Sequence, residues 1–277
     1  MIEGASVCRR FGRYPRRAVV VLLSLVGLAQ AGEAPRLDQP PTEIRHGLLT
    51  GFVRVDQGVG RASEGDGVAW TIFRDRLDLQ KQLRPDLVVE ASWDLVTVQD
   101  DPPDIHPLNY PTFAGSLGPK KSLLSSSTGP TLVVGTFYEL RYVYDPFFRF
   151  QDERTQHFVD LALIGTWERT RVGAQVSGGV NVSMDQGTAN NEVFLGIATV
   201  ADIGGPVSVL AEYGLTYVVF GGDSLPVPFG NHLDHKVAAG ISYSTARVKW
   251  ALRYVGAFRA YFYDTHLAQL SLTWFFQ

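Results

Sequence analysis

The sequence predicts an all-β fold, a transmembrane antiparallel up-and-down β-barrel. Three observations lead to this prediction: apolar and polar residues alternate along most of the chain, several alternating segments run to eleven residues or more, and aromatic residues cluster near segment ends. A period of two places successive side chains on opposite faces of a strand. Membrane strands need about nine to eleven residues, whereas soluble strands are commonly five or six residues long.

The alternation is clearest between Val172 and Met184. One face carries Val172, Ala174, Val176, Gly178, Val180, Val182 and Met184, and the other carries Gln175, Ser177, Gly179, Asn181 and Ser183. The same pattern recurs in residues 87–95, 207–219, 237–243 and 248–254. A secreted soluble β-sandwich would also alternate and stays an alternative. Segment length and the aromatic clusters, which suit the two interfaces of a bilayer, favour the barrel.

The first 31 residues have the plan of a cleaved secretory signal peptide. Five arginines precede the apolar run Ala18 to Ala29, which ends in Ala29-Gln30-Ala31. An apolar run of about twelve residues is too short to cross a bilayer as a helix, and small residues at its end suit a signal peptidase. We therefore predict a signal peptide (1–31), a short periplasmic segment (32–46) and an outer-membrane barrel (47–277).

Composition of the mature chain excludes two classes of protein. Of 25 basic and 28 acidic residues, five arginines and Glu3 leave with the signal peptide, so the mature net charge is −7. Cys8, the only cysteine, leaves as well. A surplus of acid argues against a nucleic-acid partner. A chain without cysteine forms no disulfide in the oxidising compartment that the signal peptide implies.

The C-terminal residues carry a pattern that indicates which membrane the barrel enters. From Leu270 to Phe276, apolar and polar residues alternate and the segment ends on aromatic residues. Gln277, which follows the last aromatic residue, departs from this pattern. This end resembles the C-terminal strand of bacterial outer-membrane β-barrels, including porins. The resemblance implies export to the outer membrane, contact with its lipid and lipopolysaccharide, and recognition of Leu270 to Phe276 by the barrel-assembly machinery. It identifies no specific family and leaves the oligomeric state open.

Twelve strands is the predicted number, with ten or fourteen as alternatives. Eleven strand-like segments are apparent: 47–56, 67–79, 86–98, 131–145, 155–169, 171–184, 191–201, 206–220, 235–245, 247–260 and 266–277. Single-chain bacterial barrels have even numbers of strands. A further strand within 112–127 makes the number even and lets short periplasmic turns alternate with longer outer loops. The role of residues 99–130 is otherwise open.

The predicted lumen carries charges of both signs. The inward candidates are Arg54, Glu90, Asp94, Glu139, Arg141, Asp160, Glu212, Lys236, Lys249 and Arg253. A row of one sign would indicate an ion-selective pore, whereas a balanced mixture suits a weakly selective pore or a lumen closed by ion pairs. We therefore expect a porin-like channel for small polar solutes. The alternative is a closed barrel with a structural, adhesive or surface-binding role.

Signals for catalysis or metal binding are weak. Asp264-Thr265-His266 resembles the Asp-x-His pair of the omptin outer-membrane proteases, but Asp100-Asp101 matches the second omptin pair only loosely. His232 and His235 flank Asp234, although a metal site needs a third strong ligand nearby. We therefore expect that the protein is not an enzyme and has no cofactor and no metal site. After the channel and the closed barrel, an outer-membrane hydrolase is the third hypothesis.

Overall fold

A computed structural model describes residues 47, 49–63, 69–100, 110–125, 130–143, 154–169, 171–184, 190–220, 231–258 and 264–276. The predicted signal peptide and the segment 32–46 lie outside the described residues. The strands are β1 (Gly51–Ser63), β2 (Ala69–Arg84), β3 (Leu87–Asp100), β4 (Tyr110–Leu124), β5 (Thr131–Val143), β6 (Arg154–Arg169), β7 (Val172–Ser183), β8 (Asn190–Gly204), β9 (Val207–Phe220), β10 (His232–Ser244), β11 (Val248–Phe258) and β12 (Asp264–Phe276).

The strands form a closed barrel. Each strand pairs antiparallel with the next in sequence, and β1 pairs with β12 from Gly51 opposite Phe276 to Ser63 opposite Asp264. The predicted all-β barrel and its twelve strands are therefore confirmed, and β4 supplies the strand expected within 112–127. Closure leaves none of the twelve described strands with an open edge, so each has two hydrogen-bonded neighbours.

The connections differ between the two ends of the barrel. At one end, called the turn end, β1 begins, β12 ends and the five connections have two to six residues. The other end, called the loop end, has six connections of five to eleven residues. Gly204, the last residue of β8, and Gly205, the first residue of the turn to β9, have φ angles of 143° and 58°. Glycine adopts positive φ without steric cost, which permits a two-residue turn there.

The first strand departs from its predicted bounds of 47–56. It begins at Gly51 and continues to Ser63. Residues 47–50 are apolar enough to look like a strand but precede the paired region. Residues 57–63 look weak because they contain Gly58 and Gly60, yet both glycines pair with β12 and β2. Pairing on two sides thus outweighs local β-propensity.

The two faces of the barrel are chemically distinct. Large apolar side chains, among them Leu161, Val176, Ile197 and Leu252, are exposed on the outer face. Two buried apolar clusters occupy parts of the inner face: Ala62, Trp70, Ile72, Ala238, Val255 and Leu267 near the loop end, and Val133, Ala162 and Ile164 near the turn end. Within the described residues, no helix is long and apolar enough to cross a membrane.

Candidate functional site in the barrel lumen

The charged residues that the sequence analysis assigned to the lumen all lie on the inner face, where they form two groups. Arg54, Glu90, Glu212, Lys249 and Arg253 lie in the turn-end half, and Asp94, Glu139, Arg141, Asp160 and Lys236 lie in the loop-end half. Strand alternation places each of them inward, because buried residues two positions away share their face. All turn-end residues of this set except Glu212 are buried, whereas in the loop-end group only Asp160 is buried.

A buried network of arginines and carboxylates crosses the turn-end half. Arg54 Nε lies 3.1 Å from Asp56 Oδ2, and Arg54 Nη2 lies 2.5 Å from Asp78 Oδ2. Arg253 Nη2 approaches Asp56 Oδ1 at 3.4 Å, and Arg253 Nη1 lies 3.7 Å from Glu212 Oε1. The Arg54 and Arg253 side chains are each 1% exposed. Charges so far from water persist only when they are paired.

Two further contacts extend this network. Arg253 also donates a hydrogen bond to Ser271 on β12. Arg76 Nε donates to Asp78 Oδ1 at 2.9 Å, so Asp78 receives two guanidinium groups. The three arginines and the three carboxylates Asp56, Asp78 and Glu212 therefore balance. The network links β1, β2, β9, β11 and β12 across one side of the lumen.

A second buried ion pair lies on the neighbouring strands. Lys120 Nζ on β4 lies 2.6 Å from Glu90 Oε2 on β3, with side-chain exposures of 0% and 3%. Phe137 on β5 is also fully buried. Gly135 lies beside both: a Cβ there would come within 2.7 Å of the Phe137 ring and 3.2 Å of Lys120 Cγ. The missing side chain thus leaves room for the Lys120 stem.

The loop-end half contains a charge cluster that water reaches. Arg141 Nε donates to Glu139 Oε1 at 2.7 Å, and its Nη1 donates to Glu192 Oε1 at 2.7 Å. The guanidinium carbon lies 4.4 Å from the centre of the Phe158 ring, a cation–π contact. Asn181 Nδ2 donates to both carboxylates at 3.4 Å. The Arg141 side chain is 25% exposed, in contrast to Arg54 and Arg253.

A cavity of about 200 Å³ lies beside this cluster. Its charged lining comprises Arg74, Arg76 and Lys236 and the carboxylates Glu90, Asp94, Glu139, Asp160 and Glu192. Arg74 Nε donates to both Asp94 oxygens, at 2.9 and 3.0 Å, so part of this charge is neutralised within the wall. Ser92 and Ser116, also in the lining, share a hydrogen bond of 2.7 Å. The cavity therefore offers groups of both signs and neutral hydroxyls.

Gly47, Leu49 and Thr50, the described residues before β1, cross the lumen at the turn end. The backbone N–H of Gly47 donates to Gln175 Oε1 on β7 at 3.0 Å, and Leu49 packs against the apolar cluster of β5 and β6. Strand β7 stands six strands from β1 in either direction around the barrel. A Cβ on Gly47 would lie 2.6 Å from Thr166 Oγ1. The short segment therefore spans from one wall to the opposite one.

Two motifs singled out in the sequence lie apart from this lumen site. Asp264 and His266 lie at the start of β12, and His266 faces outward with Nδ1 2.5 Å from the Tyr254 hydroxyl. His232 and His235 lie on opposite faces of β10, and His235 is hydrogen-bonded to Tyr213 at 2.8 Å. Neither Asp264 with His266 nor His232 with His235 lines the cavity.

Several lumen residues escaped the sequence analysis. Arg74, Arg76 and Asp78 alternate along β2, and the same period-two reading could have found them. Asp56 follows Arg54 by two residues and carries the same signal. Lys120 could not be found in this way, because the strand containing it was expected only from parity and had no assigned faces.

Comparisons with known proteins identify the fold and no narrower group. No protein-family model matches the chain, and no curated protein matches it. The NanC porin structure matches with a TM-score of 0.51 and 10% identity, covering 80% of this chain and 100% of that one. The β domain of the Bordetella autotransporter Brka matches with a TM-score of 0.50 and 11% identity, covering 82% and 100%. The chain has the fold of outer-membrane β-barrels.

Proposed function

We propose that this protein is an outer-membrane barrel closed in its turn-end half, which binds small polar solutes in the cavity of its loop-end half. The observation that carries the proposal is that the inward charges are buried. The side chains of Arg54, Lys120 and Arg253 are at most 1% exposed, and each forms an ion pair with a carboxylate. In a water-filled pore, wall charges face solvent and set the barrier to ions. Here they face one another.

Energetics support closure of this half. A charge that leaves water loses several kcal/mol of hydration, which only a close partner and further hydrogen bonds offset. The network of Arg54, Arg76 and Arg253 supplies close partners in three carboxylates, and Arg76 and Arg253 add hydrogen bonds. Opening a passage would separate these pairs. A closed state is therefore favoured over one in which the same residues line a pore.

The segment 47–50 adds a second barrier. Gln80 Nε2 donates to the Thr50 carbonyl at 2.7 Å, and Gly47 is held by Gln175 on the far wall. Both ends of the segment are thus attached to different sides of the barrel.

The cavity in the loop-end half suits a small solute that carries both charges or several hydroxyl groups. Lys236 and Arg74 can meet an anionic group, and Asp160, Glu139 and Glu192 can meet a cationic one. A site with paired charges of both signs selects by geometry more than by net charge. We propose a surface-binding role for this site and no catalytic role.

The membrane placement is part of the same proposal. Large apolar residues cover the outer face, and aromatic residues such as Trp167 and Trp274 lie near the turn end while Tyr138 and Tyr217 lie toward the loop end. Aromatic girdles mark both interfaces of membrane barrels. We propose export by the 1–31 signal peptide, assembly through the Leu270 to Phe276 strand, and contact with lipopolysaccharide near the loop end.

Conductance tests the closed lumen directly. Refolded mature protein in a planar bilayer is expected to show no steady single-channel steps under a voltage and salt gradient, whereas a known porin in the same bilayer conducts. Steady, ion-selective conductance of the unaltered protein would overturn the proposal in favour of a diffusion channel. That second function has the support of the cavity and of a fold shared with a structure described as a porin.

A further inference from the structure

A polar pair on the outer face of β1 and β2 is out of place among its neighbours. Gln57 and Asp75 lie directly opposite each other in the register, and Gln57 Nε2 donates to Asp75 Oδ1 at 3.1 Å. Both side chains are exposed. Their strand neighbours two positions away on the same face are apolar: Val55, Val59, Phe73 and Leu77. Across the next strands they meet Leu270 and Leu95.

The position of Asp75 is unusual in this barrel. Among the described residues, it is the only acidic residue on the outer face that lies more than three residues from an end of its strand. Ionisable residues inside a bilayer are costly, rare and commonly tied to function. The cost falls when a protein surface replaces lipid and supplies hydrogen-bond partners.

We propose that this patch, defined as Gln57, Asp75 and their apolar neighbours Val59, Phe73 and Leu77, is the contact surface between two copies of the chain in the membrane. The patch is self-complementary, because the Gln57 amide has a second N–H donor and Asp75 has further acceptor sites. In a barrel whose strands tilt by about 35–45°, directly paired residues about 4.8 Å apart differ in depth by only about 3 Å, which the Gln57 side chain can span. A two-fold axis along the membrane normal therefore brings Gln57 of one copy to Asp75 of its partner, and the reverse.

The apolar part of the patch suits the same occupant. An isologous interface needs residues that pack against their own copies. Val59 and Phe73 on one side of the pair, with Leu77 on the other, present such a surface around a small polar centre. A lipid headgroup would supply charge without this apolar frame. The inference rests on the proposed membrane placement and does not require a closed lumen.

Cysteine cross-linking in native membranes tests the proposal, since the predicted mature chain has no cysteine. Single variants Phe73→Cys and Leu77→Cys place a thiol on the patch, and Val176→Cys places one on the far wall as a matched control. Oxidation should give a disulfide-linked band of twice the chain mass for at least one patch variant, at least tenfold above the control. Equal cross-linking at all three positions would overturn the proposal, and so would a linked band containing a different protein.

Removing the polar centre separates dimer formation from folding. The double variant Gln57→Leu/Asp75→Leu should fold, as judged by heat-modifiable gel mobility, and should lose the patch cross-link at least fivefold. Val59→Trp, which keeps the face apolar but changes its shape, should reduce the cross-link by a similar factor. An unchanged cross-link in either folded variant contradicts the inference. Because neither readout involves conductance, failure here is distinguishable from failure of the closed-lumen proposal.

Discussion

Lys120 and Glu90 form an ion pair on the inner wall of the barrel, with Nζ and Oε2 2.6 Å apart and both side chains almost fully buried. Register places Glu90 opposite Gly118, so the pair is diagonal and spans two residues along β4. This geometry lets the long Lys120 side chain run beside Gly135 before it reaches its partner. The Lys120–Glu90 ion pair shows that long charged side chains, paired with each other, fill the turn-end half of the lumen.

Breaking this pair from one side should destabilise the protein. Lys120→Met leaves Glu90 buried without its cation, which is expected to cost about 3–5 kcal/mol of unfolding free energy. Equilibrium urea unfolding in detergent measures this change. Lys120→Met/Glu90→Gln removes both charges and should recover a large part of the loss. A single variant as stable as the unaltered protein would show that the pair is unimportant for closure.

Two arginines of the lumen should differ in their contribution to stability. Arg253→Gln removes the guanidinium that contacts both Asp56 and Glu212 and leaves Arg54 as the nearest guanidinium to Asp56, which should cost about 3–5 kcal/mol. Arg141→Gln should cost less, roughly 1 kcal/mol, because water reaches its cluster and screens the remaining carboxylates. The same unfolding assay compares them. An equal loss for both would contradict the assigned difference in burial.

Access of reagents should divide the lumen into its two halves. A cysteine at Thr216, in the cavity lining, should react with a membrane-impermeant thiol reagent applied to intact cells. A cysteine at Ser177 or Thr273, both fully buried in the turn-end half, should react at least tenfold more slowly. Denatured samples supply the control for intrinsic reactivity. Rapid labelling of the Ser177 variant in folded protein would indicate an open passage.

Charge on the outer face should disturb assembly more than charge in the cavity. Arg in place of Val176 or Leu252 meets lipid, at a cost of roughly 2–4 kcal/mol near the midplane. Arg in place of Thr216 meets a polar cavity and should be milder. Heat-modifiable mobility of outer-membrane fractions measures the folded yield. Equal damage at the inner and outer positions would argue against lipid contact.

The segment before β1 should act as part of the closure. Gly47→Val cannot keep the present contact, since even a Cβ would lie 2.6 Å from Thr166 Oγ1. Gly165→Val is a matched control on β6, where the nearest atom to a Cβ is 3.9 Å away. We expect brief conductance steps only from the Gly47 variant. Silent bilayers with both variants would assign closure to the ion-pair network alone.

Sequence periodicity determined the architecture because it reports which side of a strand faces the lumen and which faces outward. A period of two over long segments predicted the all-β barrel, and parity predicted the strand that proved to be Tyr110–Leu124. The aromatic clusters and the alternation of short and long connections can likewise be read from local stretches of sequence. The predicted start of β1 was wrong because Gly47 and Leu49, in a stretch as apolar as a strand, contact the opposite wall.

Only the tertiary structure decided which inward charges meet. Arg253 reaches Asp56 across 197 residues of sequence, and Arg141 reaches Glu192 across 51. These distances depend on how the sheet closes and on the register between strands. The residue pattern within a single strand contains no information about either. Periodicity therefore determined that the lumen is polar and balanced in charge. The three-dimensional pairing decided that one half is filled by buried ion pairs while the other keeps a cavity, because burial depends on residues from strands far apart in sequence.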